Sequence, residues 1–147
     1  GQPIPIVMAN ARLADGNQRP NVLCSQLRSG LSYTQAAITQ GSYFNAADGG
    51  SDPSGCFADP GDQLAGNAPR HFSNLRGDGI RNLDASLSKE FTIKESMKLQ
   101  IRAEMFNATN TPRFAFPDIG FGNESFGQVT STTGNFRKMQ FGARFQF

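Results

Sequence analysis

From Arg137 to Phe147 the side chains alternate, with Met139, Phe141, Ala143, Phe145 and Phe147 on one side and Gln140, Gly142, Arg144 and Gln146 on the other. A period of two belongs to a strand, because successive residues of an extended chain point to opposite faces. One face here is apolar and aromatic, the other wet. About ten such residues are what a tilted strand needs to cross a bilayer.

The same alternation recurs upstream. Between Gly79 and Ile93 the residues Leu83, Ala85, Leu87, Phe91 and Ile93 are apolar, with Asn82, Asp84, Ser86, Ser88, Glu90 and Thr92 between them. Lys89 interrupts the apolar row near one end, where its ammonium could snorkel to a headgroup region. After the short polar segment Lys94-Glu95-Ser96, Met97, Leu99, Ile101, Ala103 and Met105 alternate with Lys98, Gln100, Arg102 and Glu104. This spacing predicts a tight hairpin of two long strands. A weaker strand, over 2–9, alternates Ile4, Ile6 and Met8 with Pro3, Pro5 and Val7, its prolines suiting a strand end or edge.

The expected architecture is all-β, with antiparallel amphipathic strands at about 2–9, 79–93, 97–106 and 136–147. Two long loops, about 10–78 and 107–135, join them. Within the first, Tyr33 to Gln40 is the one helix-like stretch. A compact soluble domain rarely carries so much loop, whereas outer-membrane barrels pair short periplasmic turns with long outer loops. The loops are therefore expected on the cell exterior and Phe147 on the periplasmic side. Single-chain bacterial barrels need at least eight strands, so the chain is expected to be a fragment, or to be completed by copies of itself or by another chain.

Composition agrees with this frame. Only 37% of residues are hydrophobic, and no run approaches the ~20 apolar residues of a spanning helix; alternation hides a barrel from that test. Sixteen glycines, thirteen phenylalanines and no tryptophan favour strands and turns. A net charge of +2 is too balanced for nucleic-acid binding. Gln2 to Asn10 lacks the basic start and apolar core of a signal peptide, so the numbering is read as starting on a mature, processed or truncated chain. Cys24 and Cys56 have no third cysteine or nearby histidine to complete a metal set. A disulfide between them would stabilise the loop by roughly 3–4 kcal/mol in the chain-entropy model and needs an oxidising compartment; the alternative is two unpaired thiols.

Several blocks together resemble a known family. Asn74-Leu75-Arg76-Gly77-Asp78-Gly79, then Asn82-Leu83-Asp84 and Leu87-Ser88-Lys89-Glu90-Phe91, are similar to the start of the third-last strand of TonB-dependent receptors of the Oar-like group, which carries a carboxypeptidase-regulatory-like domain. The likeness continues through Arg102-Ala103-Glu104, Phe106-Asn107, Asn110, Pro112 and Phe114 to Phe126-Gly127, Thr130-Ser131 and the terminal phenylalanine strand. It is good over about residues 60 to 147, and looser at Arg19-Pro20-Asn21 and Tyr43-Phe44-Asn45. Where the family pattern has a proline after Arg76-Gly77 this chain has Asp78, a departure confined to a turn. The resemblance implies the last four strands of a 22-stranded barrel, outer-membrane location, lipid and the remaining strands and plug as partners, and energy from the TonB complex through the plug. No plug domain or TonB box is present, so this chain alone is not expected to perform gated transport.

In such a wall the polar Asp84, Glu90, Arg102, Glu104 and Arg144 would face the lumen, pairing across strands or with the plug. Leu83, Leu87, Leu99, Ile101, Phe141, Phe145 and Phe147 would face lipid. Asp48, Asp52, Asp59 and Asp62 lie in a glycine-rich stretch; they read as turn-formers, with a calcium site the alternative. Arg76-Gly77-Asp78 reads as a turn entering a strand, with Gly77 and Gly79 at positive φ, and not as an adhesion tripeptide. His71 has no placed nucleophile or carboxylate to make a catalytic set. Phe114, Phe116, Phe121 and Phe126 are expected to pack loop against loop, with capture of an apolar ligand the alternative. No enzyme activity and no cofactor are expected. A second functional reading is a released C-terminal piece that self-associates by strand addition into a fibre or homo-oligomeric barrel.

Overall fold

The structure is a computed structural model that describes residues 1–14, 16–45 and 55–147. In chain order its elements are β1 (Pro3–Ile4), β2 (Val7–Met8), β3 (Asn21–Val22), α1 (Tyr33–Thr39), β4 (Phe57–Ala58), β5 (Phe72–Arg76), β6 (Ala85–Lys94), β7 (Met97–Phe106), β8 (Gly120–Phe121) and β9 (Lys138–Gln146). The expected all-β class holds, with one short helix among the described residues. Two compact units share these elements: Gly1–Gly79 with Phe114–Thr132, and Ile80–Arg113 with Thr133–Phe147.

The first unit is built from most of what the sequence suggests is loop. β1 pairs antiparallel with β5, β2 parallel with β8, and β3 antiparallel with β4. The segment expected as one membrane strand over 2–9 is therefore two short strands in different pairings. Pro5 falls between them and has no N–H to carry a ladder through. The alternation of Ile4, Ile6 and Met8 is real, but all three side chains are buried in a protein core.

That core is aromatic. Phe57 lies with its ring centroid 6.4 Å from Phe44, 6.2 Å from Phe72, 6.3 Å from Phe121 and 5.6 Å from Phe126, within the range of favourable edge-to-face packing. The loop phenylalanines expected to pack loop on loop do so at Phe121 and Phe126, and Phe114 packs partly buried against the same core beside Tyr33, whereas Phe116 is exposed. Cys24 and Cys56 are disulfide-bonded, their Cα atoms 5.0 Å apart. The β3–β4 pairing brings them together, since Val22 faces Phe57 and the Leu23 amide donates to the Cys56 carbonyl. Gln18 is fully buried yet satisfied: it accepts from the Arg12 amide at 2.9 Å and donates to the Gly61 and Leu64 carbonyls, each at 2.8 Å.

α1 forms where the sequence carries its own start signal. The Ser32 hydroxyl accepts from the Gln35 amide and the Gln35 side-chain oxygen accepts from the Ser32 amide, a capping box that satisfies two otherwise orphaned donors. Ala36 is its buried contact.

The tripeptide Arg76-Gly77-Asp78 is structural. The Arg76 carbonyl accepts from the hydroxyls of Tyr33, at 3.0 Å, and Tyr43, at 3.4 Å, while an Asp78 carboxylate oxygen accepts from the Phe114 amide. Neither Gly77 nor Gly79 has a positive φ, contrary to the expectation. Gly77 is needed for another reason: a Cβ there would lie 2.2 Å from the Phe116 ring. His71 is exposed just before β5.

The second unit is a three-stranded antiparallel sheet in the order β6-β7-β9. β7 matches the expected bounds. The expected strand over 79–93 starts only at Ala85, and the turn is Glu95-Ser96, with a register irregularity between Thr92 and Lys94. β9 is shorter at each end than the expected 136–147.

Candidate membrane-facing sheet

The register places the alternating residues in rows across three strands. Leu87, Ala103 and Phe141 form one row, Phe91, Leu99 and Phe145 another, and Ala85, Met105 and Met139 a third. All share one face, because every pairing joins positions of the same parity. This face is uncovered: Leu87 is 75% exposed and Phe141 76%. So large a contiguous apolar surface marks a site of association with lipid or protein. Ten residues of β7 rise about 33 Å, and a tilt of ~45° brings that to about 23 Å, close to the ~25 Å apolar band of an outer-membrane wall.

Lys89 stands in the apolar row opposite Ile101, in the middle of β6 and not near an end as the sequence suggests. Its ammonium lies 5.6 Å from the Phe91 ring centroid, directed along the strand toward the Glu95-Ser96 turn. That direction is the one in which a lysine on a membrane face can snorkel.

The opposite face carries the charges. Glu90 pairs with Lys98 at 3.1 Å and Arg102 with Glu104 at 3.2 Å, and the Gln140 side chain donates to Glu104 from the neighbouring strand. Arg144 lies opposite Gln100 and, among the described residues, makes no ion pair. Four of the five expected lumenal residues thus share one face. Asp84 keeps their parity but lies outside the strands, at the end of that face. It precedes β6 and accepts hydrogen bonds from the Asn107 amide, at 2.9 Å, and the Asn82 side chain. Leu83 likewise lies before the strand, with its carbonyl accepting from the Ala108 amide. Of the other expected lipid-facing residues, Leu87, Leu99, Ile101, Phe141 and Phe145 lie in the apolar rows, and Phe147 follows β9 almost fully exposed.

Asn107 ties the end of this sheet together, a role the sequence marks only through its place in the resembling blocks. Its φ is 49°, a conformation asparagine tolerates better than most residues. Its side chain donates to the carbonyls of Thr111 and Asn135 and accepts from the Thr111 amide. The entrance of β9 is thereby fixed against the exit of β7.

In the other unit the polar groups serve the fold. Asp59 accepts from the Gly61 amide and from Arg12, which also reaches Asp62 at 2.8 Å. The Gly61 bond and then the guanidinium hold the Asp59 carboxyl below the ordinary range. These two calcium candidates therefore meet an arginine, and Asp48 and Asp52 lie outside the described residues. Burial opposes ionisation of Asp118, but hydrogen bonds from Ser125, the Gly120 amide and Asn123 outweigh it and lower its pKa. Burial raises the pKa of Tyr33 and Tyr43, whose rings lie 4.4 Å apart.

Residues 1–140 match a family model described as an outer membrane beta barrel domain. No curated protein and no solved structure matches the chain.

Proposed function

The chain belongs to the outer membrane beta barrel domain family, and from that premise we propose that it forms the closing wall and outer part of a TonB-dependent receptor that captures a solute for uptake. The observation that carries this reading is the sheet, apolar on one face and charge-paired on the other, with β6 and β9 as edges unpaired among the described residues. An edge strand exposes a row of free N–H and C=O groups that lipid cannot satisfy, so further strands must continue the wall on both sides. The apolar face then meets the lipid of the outer membrane. Glu90, Arg102, Glu104 and Arg144 meet the aqueous lumen and its plug, which residues outside this sequence would supply together with the coupling to TonB.

Orientation follows from the connections. β6 and β7 are joined by two residues, whereas the chain between β7 and β9 leaves from the opposite sheet end and includes β8. Short turns are periplasmic and long connections extracellular in such barrels. The disulfide-stapled unit would therefore stand on the cell exterior as a folded receptor surface. In intact cells, a membrane-impermeant maleimide is expected to label Thr34→Cys, on exposed α1, and to reach Ser96→Cys only after lysis. Labelling of Ser96→Cys in intact cells with Thr34→Cys protected would overturn the orientation.

The same unpaired edges favour a second reading, in which copies of this chain complete one another's sheets by strand addition. Denatured mass separates the two: a polypeptide far larger than the 15.9 kDa of this chain supports the receptor, and one of that mass supports self-assembly.

A further inference from the structure

At the sheet end away from the Glu95-Ser96 turn, a cleft of about 470 Å³ opens among Arg113, Lys138, Asn135, Phe106, Phe136 and Ile80. Lys138 lies opposite Phe106, and both have the parity of Glu104 and Gln140, so the cleft belongs to the charged face. Arg113 and Lys138 make no ion pair among the described residues. Asp84 also lines the cleft, but one of its oxygens already accepts two hydrogen bonds. Two cations against this one carboxylate leave the cleft with a net positive charge.

The backbone around Gly134 makes room for these cations. Gly134 has φ +103°, and its bare Cα lets the Arg113 side chain lie across it, since a Cβ would come within 3.2 Å of Arg113 Cδ. The Arg113 carbonyl accepts from the Thr133 amide at 2.7 Å, and the Lys138 ammonium lies 5.9 Å from the Phe136 ring centroid. Beside the charges stand apolar groups unusual on a wet face: Phe136 is 76% exposed, Ile80 72% and Phe106 45%. Along β9 the same face runs Lys138, Gln140, Gly142, Arg144 and Gln146 with no carboxylate.

We propose that this cleft binds a small organic anion with an aromatic or apolar body, its carboxylate or phosphate held by Arg113 and Lys138 and its body against Phe106, Phe136 and Ile80. The inference deepens the receptor reading and rests on its assignment of the charged face to the lumen. A guanidinium and an ammonium supply charge-assisted hydrogen bonds to such an anion, and the rings give it an apolar surface.

The test is titration of the native polypeptide that carries this sequence, purified in a neutral detergent, with phenyl phosphate, inorganic phosphate and benzyl alcohol, followed by ligand NMR. Phenyl phosphate is expected to bind more tightly than either half alone. The double substitution Arg113→Gln with Lys138→Gln is expected to weaken it about ten-fold, and the charge-keeping pair Arg113→Lys with Lys138→Arg to weaken it much less. Equal binding of benzyl alcohol, or equal affinity in both double variants, overturns the proposal, and equal binding of inorganic phosphate overturns the apolar half of the site. Binding retained while the maleimide pattern reverses would sink the receptor orientation and leave the cleft standing.

Discussion

Phe57→Ala is expected to destabilise the disulfide-stapled unit by about 3–5 kcal/mol, the range for emptying a buried phenylalanine site. Phe57 is 3% exposed and meets four other rings. Two of them, Phe44 and Phe72, come from the first long segment, and two, Phe121 and Phe126, from the second. Removing the central ring leaves a cavity that the others cannot close, because each is held by a separate strand or bridge. Hydrogen exchange of the amides of β2, β5 and β8 measures the effect. Protection reduced by several orders of magnitude is expected, and a loss below ten-fold would mean that these segments do not share one core.

Phe141→Arg is expected to cost about 2–4 kcal/mol in a bilayer, the penalty for a cation near the midplane of an outer-membrane wall. Phe141 stands near the middle of β9 in the apolar row with Leu87 and Ala103. Gln140→Arg, one residue away on the charged face, should be nearly neutral, because the new guanidinium can pair with Glu104 as Gln140 now does. Urea-dependent folding into phosphatidylcholine vesicles reads both. Equal costs at the two positions would contradict the two-faced sheet.

The wall was legible because its information is local. Met97 to Met105 alternates without interruption and follows a two-residue turn, so a single window of sequence contains strand, face and register. At the start of β6 the same rule overreached. Leu83 and Asp84 keep the alternation, yet Asp84 turns to the Asn107 amide, and no period reports a bond to a residue so far along the chain. Over 2–9 the pattern was correct and its environment was not: alternation looks the same whether the apolar side meets lipid or, as for Ile4 and Ile6, a protein core.

The core of the first unit was hidden for the opposite reason. Phe44, Phe57, Phe72, Phe121 and Phe126 stand at irregular spacings, and what unites them is long-range pairing and the Cys24–Cys56 bond. Arg113 and Lys138 were equally silent, since neither carries a motif and only the return of the chain at Gly134 brings them to one cleft. Gly77 shows a finer limit. The sequence marks a required glycine, but not whether φ or the approach of the Phe116 ring requires it.

We propose a two-faced wall, in which one face of the β6-β7-β9 sheet meets lipid and the other meets water. Its most direct test places a nitroxide label by single-cysteine substitution at Gln100, Ile101, Arg102, Ala103 and Glu104 in turn, and compares quenching by oxygen dissolved in the bilayer with quenching by a water-soluble nickel chelate. The predicted result is a period of two, oxygen dominating at Ile101 and Ala103 and nickel at Gln100, Arg102 and Glu104. Uniform access of the nickel chelate to all five positions would contradict the claim and leave the sheet as one more surface in water.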